Sequence, residues 1–377
     1  MTLQLVKFLD TEFRWFHSHP ELSLQEFATT LRLKADLSEA GVRLLPLDLK
    51  TGVVAEVGSG ERVVALRADI DALPLQEETT LEYQSATAGV MHACGHDFHA
   101  AVILGTALLL KDAEARLPGR VRLIFQPAEE LPGGARLIIK AGALKQVSAI
   151  FGIHTIINYP VGTLVIREGP THAAVDRFSI VFKGKGTHAA HPEEGIDPIV
   201  AASDFVSAAQ SVVSRSSSPF ANNLLSITRF DAGTTWNVIP EKAVLEGTIR
   251  TLNVKQRSLV RGRMSELAEH TALAYGARAE VRWISGLPAA HNTPELAQFA
   301  AEVAKQEGYM VDPGQPSLGG EDFALYEEVL PGAFIQIGAG ESPPAHSPGF
   351  RVDPAAIYPA AAYMAHLARS WLERGEK

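Results

Sequence analysis

Apolar and polar positions near the start of the chain follow a helical period. Over residues 3–16 the apolar side chains recur every three or four positions, which predicts an amphipathic helix. A second helix is expected to begin at Ser23, with Glu26 three residues later completing a capping box, and to end at Gly41.

Between residues 62 and 154, short apolar runs alternate with longer helical patterns. The predicted strands are 62–69, 120–126 and 149–154, and the predicted helices are 99–115 and 134–144. This alternation is typical of a largely parallel sheet flanked by helices. Functional sites of such sheets lie beyond the carboxyl ends of the strands.

The middle of the chain has a different order of elements. Strands at 177–184, 223–233, 242–251 and 278–285 and helices at 196–215 and 255–276 give the order βαββαβ, a split-βαβ sandwich. The alternation of strands and helices seen before residue 154 then resumes, with a helix from 293, a strand at 333–339 and a helix at 353–373. We therefore expect an α/β fold in which a discontinuous α/β domain, residues 1–172 and 288–377, carries an inserted ferredoxin-like domain, residues 173–287.

Composition supports this division and narrows the function. A chain of 377 residues exceeds the usual size of one core. The net charge of −9 argues against a nucleic-acid partner. We find no signal peptide and no membrane-spanning apolar run, and a single cysteine cannot form an internal disulfide, so we expect a cytoplasmic protein without a membrane partner.

Metal-binding side chains are concentrated at the predicted strand ends and turns of the larger domain. They are Asp69 and Asp71 in "RADIDALP", Cys94 and His96 in "MHACGHD", Glu129 and Glu130 in "FQPAEE", His154, and His346. A lone cysteine, a glutamate pair or a single histidine is ordinary by itself. Their joint placement at the strand ends of one sheet favours a metal site.

The donor types indicate which ions would bind. Thiolate, imidazole and carboxylate together suit Zn²⁺, Mn²⁺, Co²⁺ or Ni²⁺. More than four potential ligands suggest two ions that share a bridging ligand. In the glutamate pair, one carboxylate would bind metal and the other would accept a proton from an activated water.

Eight stretches spread along the chain carry a resemblance to a known family. They are "RADIDALP", "GVMHACGHDFHAA", "FQPAEELPGGA", "GIH", "GKGTHAAHP", "WNVIPEKAVLEGTIRT", "GGEDFA" and "HSP". Together they resemble the amidohydrolase branch of the zinc-carboxypeptidase/aminoacylase superfamily, over essentially the whole chain. That branch includes hippurate hydrolases, N-acetyldiaminopimelate deacetylases, N-acyl-amino-acid amidohydrolases and plant auxin-conjugate hydrolases, and it implies a metallopeptidase-like fold for the larger domain.

The resemblance implies a set of roles for the larger domain. The implied ligands of a dinuclear centre are Cys94, His96, Glu130, His154 and His346. Cys94 stands where the wider superfamily has a bridging aspartate, and Glu129 matches the general base. Asp71 matches an aspartate that orients a ligand. Asp69 stands where the wider superfamily has a metal-binding histidine.

The resemblance also gives the inserted domain a role as a lid and as the usual dimer contact. His188 matches a histidine that holds the substrate carbonyl oxygen, and Asn237 matches a polar lid position. Arg250 is a candidate for binding the substrate carboxylate. Without the resemblance, His188 would be an ordinary surface histidine and Arg250 a solvated or salt-bridged side chain. We expect a homodimer or homotetramer formed through this domain.

The implied activity is hydrolysis of N-acyl-amino acids, N-acetyl or N-aroyl, to a carboxylate and a free amino acid. The implied cofactors are two divalent ions, with Mn²⁺ favoured over Zn²⁺, Co²⁺ or Ni²⁺. N-acetyldiaminopimelate deacetylase is the leading specific alternative, and an acyl-cysteine deacylase or a small dipeptidase or carboxypeptidase stays open. A non-catalytic metal-dependent binding protein is disfavoured because Glu129 and His188 are both present.

Overall fold

The computed structural model describes residues 2–131 and 133–374. In these ranges the helices are, in chain order, α1 (Thr2–Ser18), α2 (Phe27–Glu39), α3 (His96–Asp112), α4 (Gly134–Lys140), α5 (Pro198–Ser214), α6 (Val254–Ala274), α7 (Pro294–Gln306), α8 (Ala324–Glu327) and α9 (Ile357–Glu373). Short 3-10 turns lie at Glu114–Arg116, Pro192–Glu194, Pro219–Ala221 and Pro354–Ala356. None of the helices in this described part of the chain is long and apolar enough to cross a membrane.

The strands are, in chain order, β1 (Arg43–Leu44), β2 (Val53–Gly58), β3 (Val63–Asp69), β4 (Arg120–Gln126), β5 (Val147–Ile156), β6 (Thr163–Val165), β7 (Gly169–His172), β8 (Ala174–Lys183), β9 (Thr187–His188), β10 (Leu224–Ala232), β11 (Val238–Ile239), β12 (Lys242–Thr251), β13 (Arg278–Ser285), β14 (Ala290–Asn292), β15 (Met310–Asp312) and β16 (Gly332–Gly338). The strands predicted for the larger domain and for the inserted domain are all present, and their ends differ from the prediction by three residues or fewer.

The chain divides into two compact units. The first contains the described parts of residues 1–169, 291–315 and 322–377, and the second contains residues 170–290 and 316–321. The domain boundaries predicted from the sequence lie at 172/173 and 287/288, and residues 316–321 were predicted to belong to the larger domain. The two units are called the large unit and the inserted unit below.

The large unit is built on an eight-stranded sheet in the order β1-β2-β4-β3-β5-β16-β6-β15. Its centre, β4-β3-β5-β16, is parallel, as is the β6-β15 pair at one edge. Three junctions depart from the predicted parallel arrangement, because β1–β2, β2–β4 and β16–β6 are antiparallel pairs. The parallel centre still brings the carboxyl ends of β3, β4 and β5 to one edge.

The core of the large unit surrounds α3. This helix is apolar on nearly every side and is buried along most of its length, as expected for a helix with little polar surface. It packs against α1, α9 and β3. It also contacts the strands β2, β4 and β5 of the central sheet.

The predicted capping box at the start of α2 is wrong. The helix begins at Phe27, and the residue before it, Glu26, makes no side-chain cap hydrogen bond. Instead Glu21 accepts hydrogen bonds from the backbone N–H groups of Ala28 and Thr29, at 2.9 and 2.8 Å. Because Glu21 accepts these hydrogen bonds, the Ser23 and Glu26 side chains form hydrogen bonds with other residues.

The inserted unit confirms the predicted βαββαβ order. Its four-stranded antiparallel sheet has the order β10-β12-β8-β13, the ferredoxin-like arrangement, and α5 and α6 pack on it. A small apolar core fills the space between helices and sheet, including Phe178, Phe182 and Phe205.

Candidate metal centre

The carboxyl edge of the central strands carries most of the candidate residues. Asp69 ends β3 and pairs in register with Gln126, which ends β4. The turn after β4 carries Glu129 and Glu130, and His154 lies two residues before the end of β5. Because these strands are parallel, side chains that are far apart in the sequence lie at the same edge of the sheet.

Cys94 and His96 enter the same edge from the turn before α3. Gly95 between them has φ 90° and forms the amino-terminal cap of the helix. A Cβ atom at this position would lie 2.5 Å from Thr155 Oγ1 on β5. Glycine is therefore required both by the backbone conformation and by the close approach of the turn to β5.

His346 reaches the site from the segment that follows β16. Its backbone is left-handed, with φ 62°, and its N–H donates to the Ala93 carbonyl at 2.8 Å. Its Nε2 lies 3.3 Å from Glu130 Oε1. This backbone contact brings a histidine from the last third of the chain to the cysteine turn.

The candidate side chains form overlapping groups whose donor atoms lie within 4.8 Å of one another. The groups include Cys94 with His96 and His154, Cys94 with Glu130 and His346, and His96 with Glu129 and Glu130. Cys94 belongs to two of them. His96 and Glu130 likewise belong to two of these three groups.

The Cys94 thiol is an anion at neutral pH. Burial alone would raise its pKa, but the charge on His154 and hydrogen bonds from His154, His346 and His96 outweigh burial and lower the pKa to about 5. Thiolate is the form that binds metal ions. Hydrogen bonds that His346 donates to Cys94 and to Glu130 raise the pKa of His346 to about 10.

The histidine rings are oriented by hydrogen bonds on the nitrogens that face away from Cys94. His154 Nδ1 contacts the Thr155 carbonyl at 2.8 Å, so this nitrogen donates, and Nε2 faces Cys94 Sγ at 3.5 Å. His96 Nδ1 lies 3.2 Å from Asp71 Oδ1. This arrangement, with one nitrogen held by an oxygen, is the usual one for metal-binding histidines.

His99 is buried and neutral, and it connects α3 to β5. Its Nε2 accepts the Thr155 N–H at 2.7 Å, so its Nδ1 carries the proton and donates to Asp69 Oδ1 at 2.5 Å. Burial lowers the pKa of His99 to about 3, in agreement with this assignment. Asp69 therefore supports the site through a neighbouring histidine.

A buried network behind Asp69 was not predicted from the sequence. Arg67 is fully buried and donates to Asp69 at 2.6 Å, to Asp322 at 2.8 Å and to Gln126 at 2.9 Å. Tyr326 also donates to Gln126, at 2.9 Å. The only sequence signal is an arginine in the middle of an apolar strand, "VVALRAD", where a buried charge needs acidic partners.

The three predicted lid residues all lie in the inserted unit. His188 is exposed on β9, and its Nδ1 accepts the Ala190 N–H at 3.0 Å. Asn237 accepts a hydrogen bond from the Thr235 hydroxyl at 3.2 Å, and its carbonyl accepts the Ala189 N–H. Arg250 is half-buried on β12, where burial lowers its pKa.

The chain is similar to known proteins over almost its entire length. The model of peptidase family M20/M25/M40 matches residues 65–370. An N-acetylcysteine deacetylase of Bacillus subtilis strain 168 is 49% identical over 363 residues, which cover 96% of each chain. An N-acetyl-L-cysteine deacetylase of the same organism is 42% identical over 367 residues, covering 97% of this chain and 88% of the relative.

The chain is also similar to a solved structure from this family. The crystal structure of Bacillus subtilis YXEP, described as a dinuclear metal binding peptidase from the M20 family, matches with a TM-score of 0.90 and 45% identity. The match covers 98% of this chain and 99% of that chain. The resemblance indicated by the sequence motifs is therefore confirmed.

Proposed function

Because the chain belongs to peptidase family M20/M25/M40, we propose that it is a metal-dependent amidohydrolase that converts an N-acyl-amino acid to a carboxylate and a free amino acid. One observation carries the proposal: the Cys94 thiol belongs to two groups of potential ligands that lie beside a glutamate pair. The two relatives named as deacetylases of N-acetylcysteine support an N-acetyl-amino acid as the substrate.

The donor set fits two divalent ions. His96 is buried, and it belongs to one group of potential ligands with Cys94 and His154 and to another with Glu129 and Glu130. Cys94, His96, Glu130, His154 and His346 would hold the ions, and Cys94 belongs to two of the ligand groups. Bound ions would supply Lewis-acid polarisation of the amide carbonyl and would acidify the attacking water.

The remaining residues perform the proton transfer and the orientation. Glu129 takes a proton from the attacking water, whose oxygen forms a bond to the carbonyl carbon. The carbon–nitrogen bond then breaks, and Glu129 passes the proton to the leaving amine. Asp71 keeps the His96 ring in its orientation through the Nδ1 contact, and Asp69 acts through His99.

The inserted unit binds the substrate in this proposal. Because His188 Nδ1 accepts a backbone N–H, its Nε2 carries the proton of the neutral ring and can donate to the substrate carbonyl oxygen. Arg250 binds the substrate carboxylate, and Asn237 contributes a polar contact. We also propose that this unit closes as a lid and forms the contact of a homodimer or homotetramer, which sedimentation would test.

Mn²⁺ is the proposed native metal, because carboxylate ligands suit it. Zn²⁺, Co²⁺ and Ni²⁺ are the alternatives. Activation of metal-depleted protein by each ion in turn separates them, and the highest kcat/KM with Mn²⁺ is expected. A reducing compartment, the cytoplasm, suits a site that depends on an unoxidised thiol.

The deciding experiment compares the wild type with Glu129→Gln after loading with Mn²⁺. The substrate panel contains N-acetylcysteine, other N-acetyl and N-benzoyl amino acids, N-acetyldiaminopimelate and dipeptides. We expect the wild type to release acetate from N-acetyl amino acids, and Glu129→Gln to bind the same metal but to lose about 10²- to 10⁴-fold in kcat. Equal rates in the wild type and Glu129→Gln would show that Glu129 is not the base. Hydrolysis of dipeptides but of no N-acyl-amino acid would show that the protein is a peptidase and not a deacylase.

A further inference from the structure

Three successive backbone N–H groups of the turn that carries the glutamate pair donate to two buried carboxylates. Ala128 N–H donates to Glu26 Oε1 at 2.9 Å. Glu129 N–H and Glu130 N–H donate to the two oxygens of Asp71, each at 3.0 Å. Glu26 and Asp71 are almost completely buried. The backbone of residues 128–130, the glutamate turn, is therefore held at every amide.

The conformation of this turn is unfavourable for the residue that begins it. Ala128 has φ 55°, in the left-handed region that residues with a Cβ atom rarely adopt. A rotation of Ala128 back to a common conformation would turn the peptide plane that precedes Glu129 and redirect both glutamates. Such strain persists only where surrounding contacts hold it, and the hydrogen bond to Glu26 is a contact of that kind.

The residues that hold the turn come from the segment that enters α2, residues 20–26. Ser23 Oγ donates to Asp71 Oδ2 at 2.6 Å. Glu26 Oε1 also accepts the Leu24 N–H of its own segment, at 3.0 Å, so one oxygen connects the segment to the glutamate turn. This use of Ser23 and Glu26 depends on Glu21, which satisfies the first amides of α2 in their place.

We propose that Ser23 and Glu26 are positioning residues for the glutamate turn, with Glu26 holding Ala128 in its left-handed conformation and Ser23 holding the Asp71 carboxylate that binds the next two amides. The inference rests on the proposed function for its catalytic consequence. Neither residue needs to touch substrate or metal. Both act through the direction in which Glu129 and Glu130 leave the backbone.

The first test measures the backbone directly, in metal-depleted protein. Glu26→Gln keeps an acceptor oxygen at the same position, whereas Glu26→Leu has similar size and no acceptor. We expect hydrogen exchange of the peptide containing residues 128–130 to accelerate at least tenfold in Glu26→Leu and to stay near the wild-type rate in Glu26→Gln. Peptides from β4 and β5 report global opening. Acceleration that spreads equally to those strands, or no acceleration, would overturn the proposal.

The second test measures catalysis in the Mn²⁺-loaded enzyme. We expect Glu26→Leu to lower kcat about 10- to 100-fold with KM within about threefold of the wild type, the range seen when groups that orient ligands are removed. Ser23→Ala should lower kcat about tenfold by the same route, and Ser38→Ala, on the exposed face of α2, serves as its control. A wild-type kcat in Glu26→Leu would overturn the inference.

A double substitution separates positioning from general damage. Glycine adopts φ > 0 without strain, so Ala128→Gly added to Glu26→Leu should recover at least threefold of the lost kcat. No recovery would mean that Glu26 does not act through Ala128. If the wild type hydrolyses no N-acyl-amino acid, the proposed function fails, yet the exchange measurement still decides whether Glu26 holds the turn.

Discussion

Cys94 Sγ and His154 Nε2 lie 3.5 Å apart, although Cys94 precedes α3 and His154 lies near the end of β5. The pair joins the turn before α3 to β5, and the imidazole stabilises the thiolate. A thiolate is the form of cysteine that binds metal ions. The reactivity of Cys94 should therefore report both its ionisation and ion binding.

We predict that iodoacetamide alkylates Cys94 in metal-depleted protein at a nearly constant rate from pH 8 to pH 6. Its pKa of about 5 means that the rate should fall only as the pH drops through 5. Free N-acetylcysteine, the control, loses about tenfold in rate for each pH unit below about 8.5. Added Mn²⁺ should protect the protein thiol. The same steep pH dependence in the protein would contradict the low pKa.

Gly95→Ala should weaken both folding and metal binding. The substitution places a Cβ atom 2.5 Å from Thr155 Oγ1 and also forces alanine to φ 90°. Gly89 has φ 73° with no atom within 4 Å of its Cβ position, so Gly89→Ala isolates the cost of the backbone conformation. We expect Gly89→Ala to lose about 1 kcal/mol of unfolding free energy and Gly95→Ala about 3 kcal/mol.

Calorimetric titration with Mn²⁺ gives the second readout for this pair. Gly95 lies between two proposed ligands, so only Gly95→Ala should lower the metal affinity. Equal affinities and equal losses of stability would show that the turn before α3 tolerates a larger residue.

Arg67→Met should be among the most destabilising single substitutions in the large unit. It leaves the carboxylates of Asp69 and Asp322 buried without their cation, which costs about 3–5 kcal/mol for comparable buried pairs. Arg263→Met removes an exposed i,i+3 pair with Glu266 and should cost less than about 0.5 kcal/mol. Urea unfolding of both variants measures the difference, and similar midpoints would contradict the assigned role of Arg67.

His17 should make the stability of the protein decrease at alkaline pH. Burial alone would lower its pKa, but hydrogen bonds to Asp97, at 2.6 Å, and Glu77, at 3.3 Å, outweigh burial and raise the pKa to about 9. A folded-state pKa above the unfolded value near 6.5 gives stability that is fully present below pH 6.5. That stability is lost as the pH rises through 9, by an amount on the order of 3 kcal/mol.

Urea unfolding of metal-depleted protein between pH 6 and pH 10 measures this loss. His17→Gln should lack the alkaline decrease, and His19→Gln, at an exposed position of the same segment, should retain it. A decrease of the same size in His17→Gln would assign the effect to another group.

Periodicity in the sequence predicted most of the elements correctly. The strands and helices of the inserted unit, and α1, α3 and α9 of the large unit, follow apolar positions whose spacing is a property of neighbouring residues. The strand β2 and the short strands β6 and β15 were not predicted. Short strands contain too few residues for a period to show, and their pairing depends on partners far away in the chain.

The chemistry of the candidate site, like the longer elements, could be predicted from the sequence. The types of side chain at the strand ends already determine the chemistry: a thiol, imidazoles and paired carboxylates suit divalent ions whichever atoms they face. The sequence therefore predicted which residues could serve as metal ligands, and it predicted the fold class that presents them.

The tertiary structure decided which residues form hydrogen bonds with each other. Ser23 and Glu26 have the spacing of a capping box, yet Ser23 bonds Asp71, 48 positions away, and Glu26 bonds Ala128, 102 positions away. Arg67 likewise bonds Asp322 across 255 positions. The physical reason is that a local pattern fixes distances only within a few residues, whereas a buried polar group takes whichever partner the packing of distant strands and turns brings within hydrogen-bonding distance.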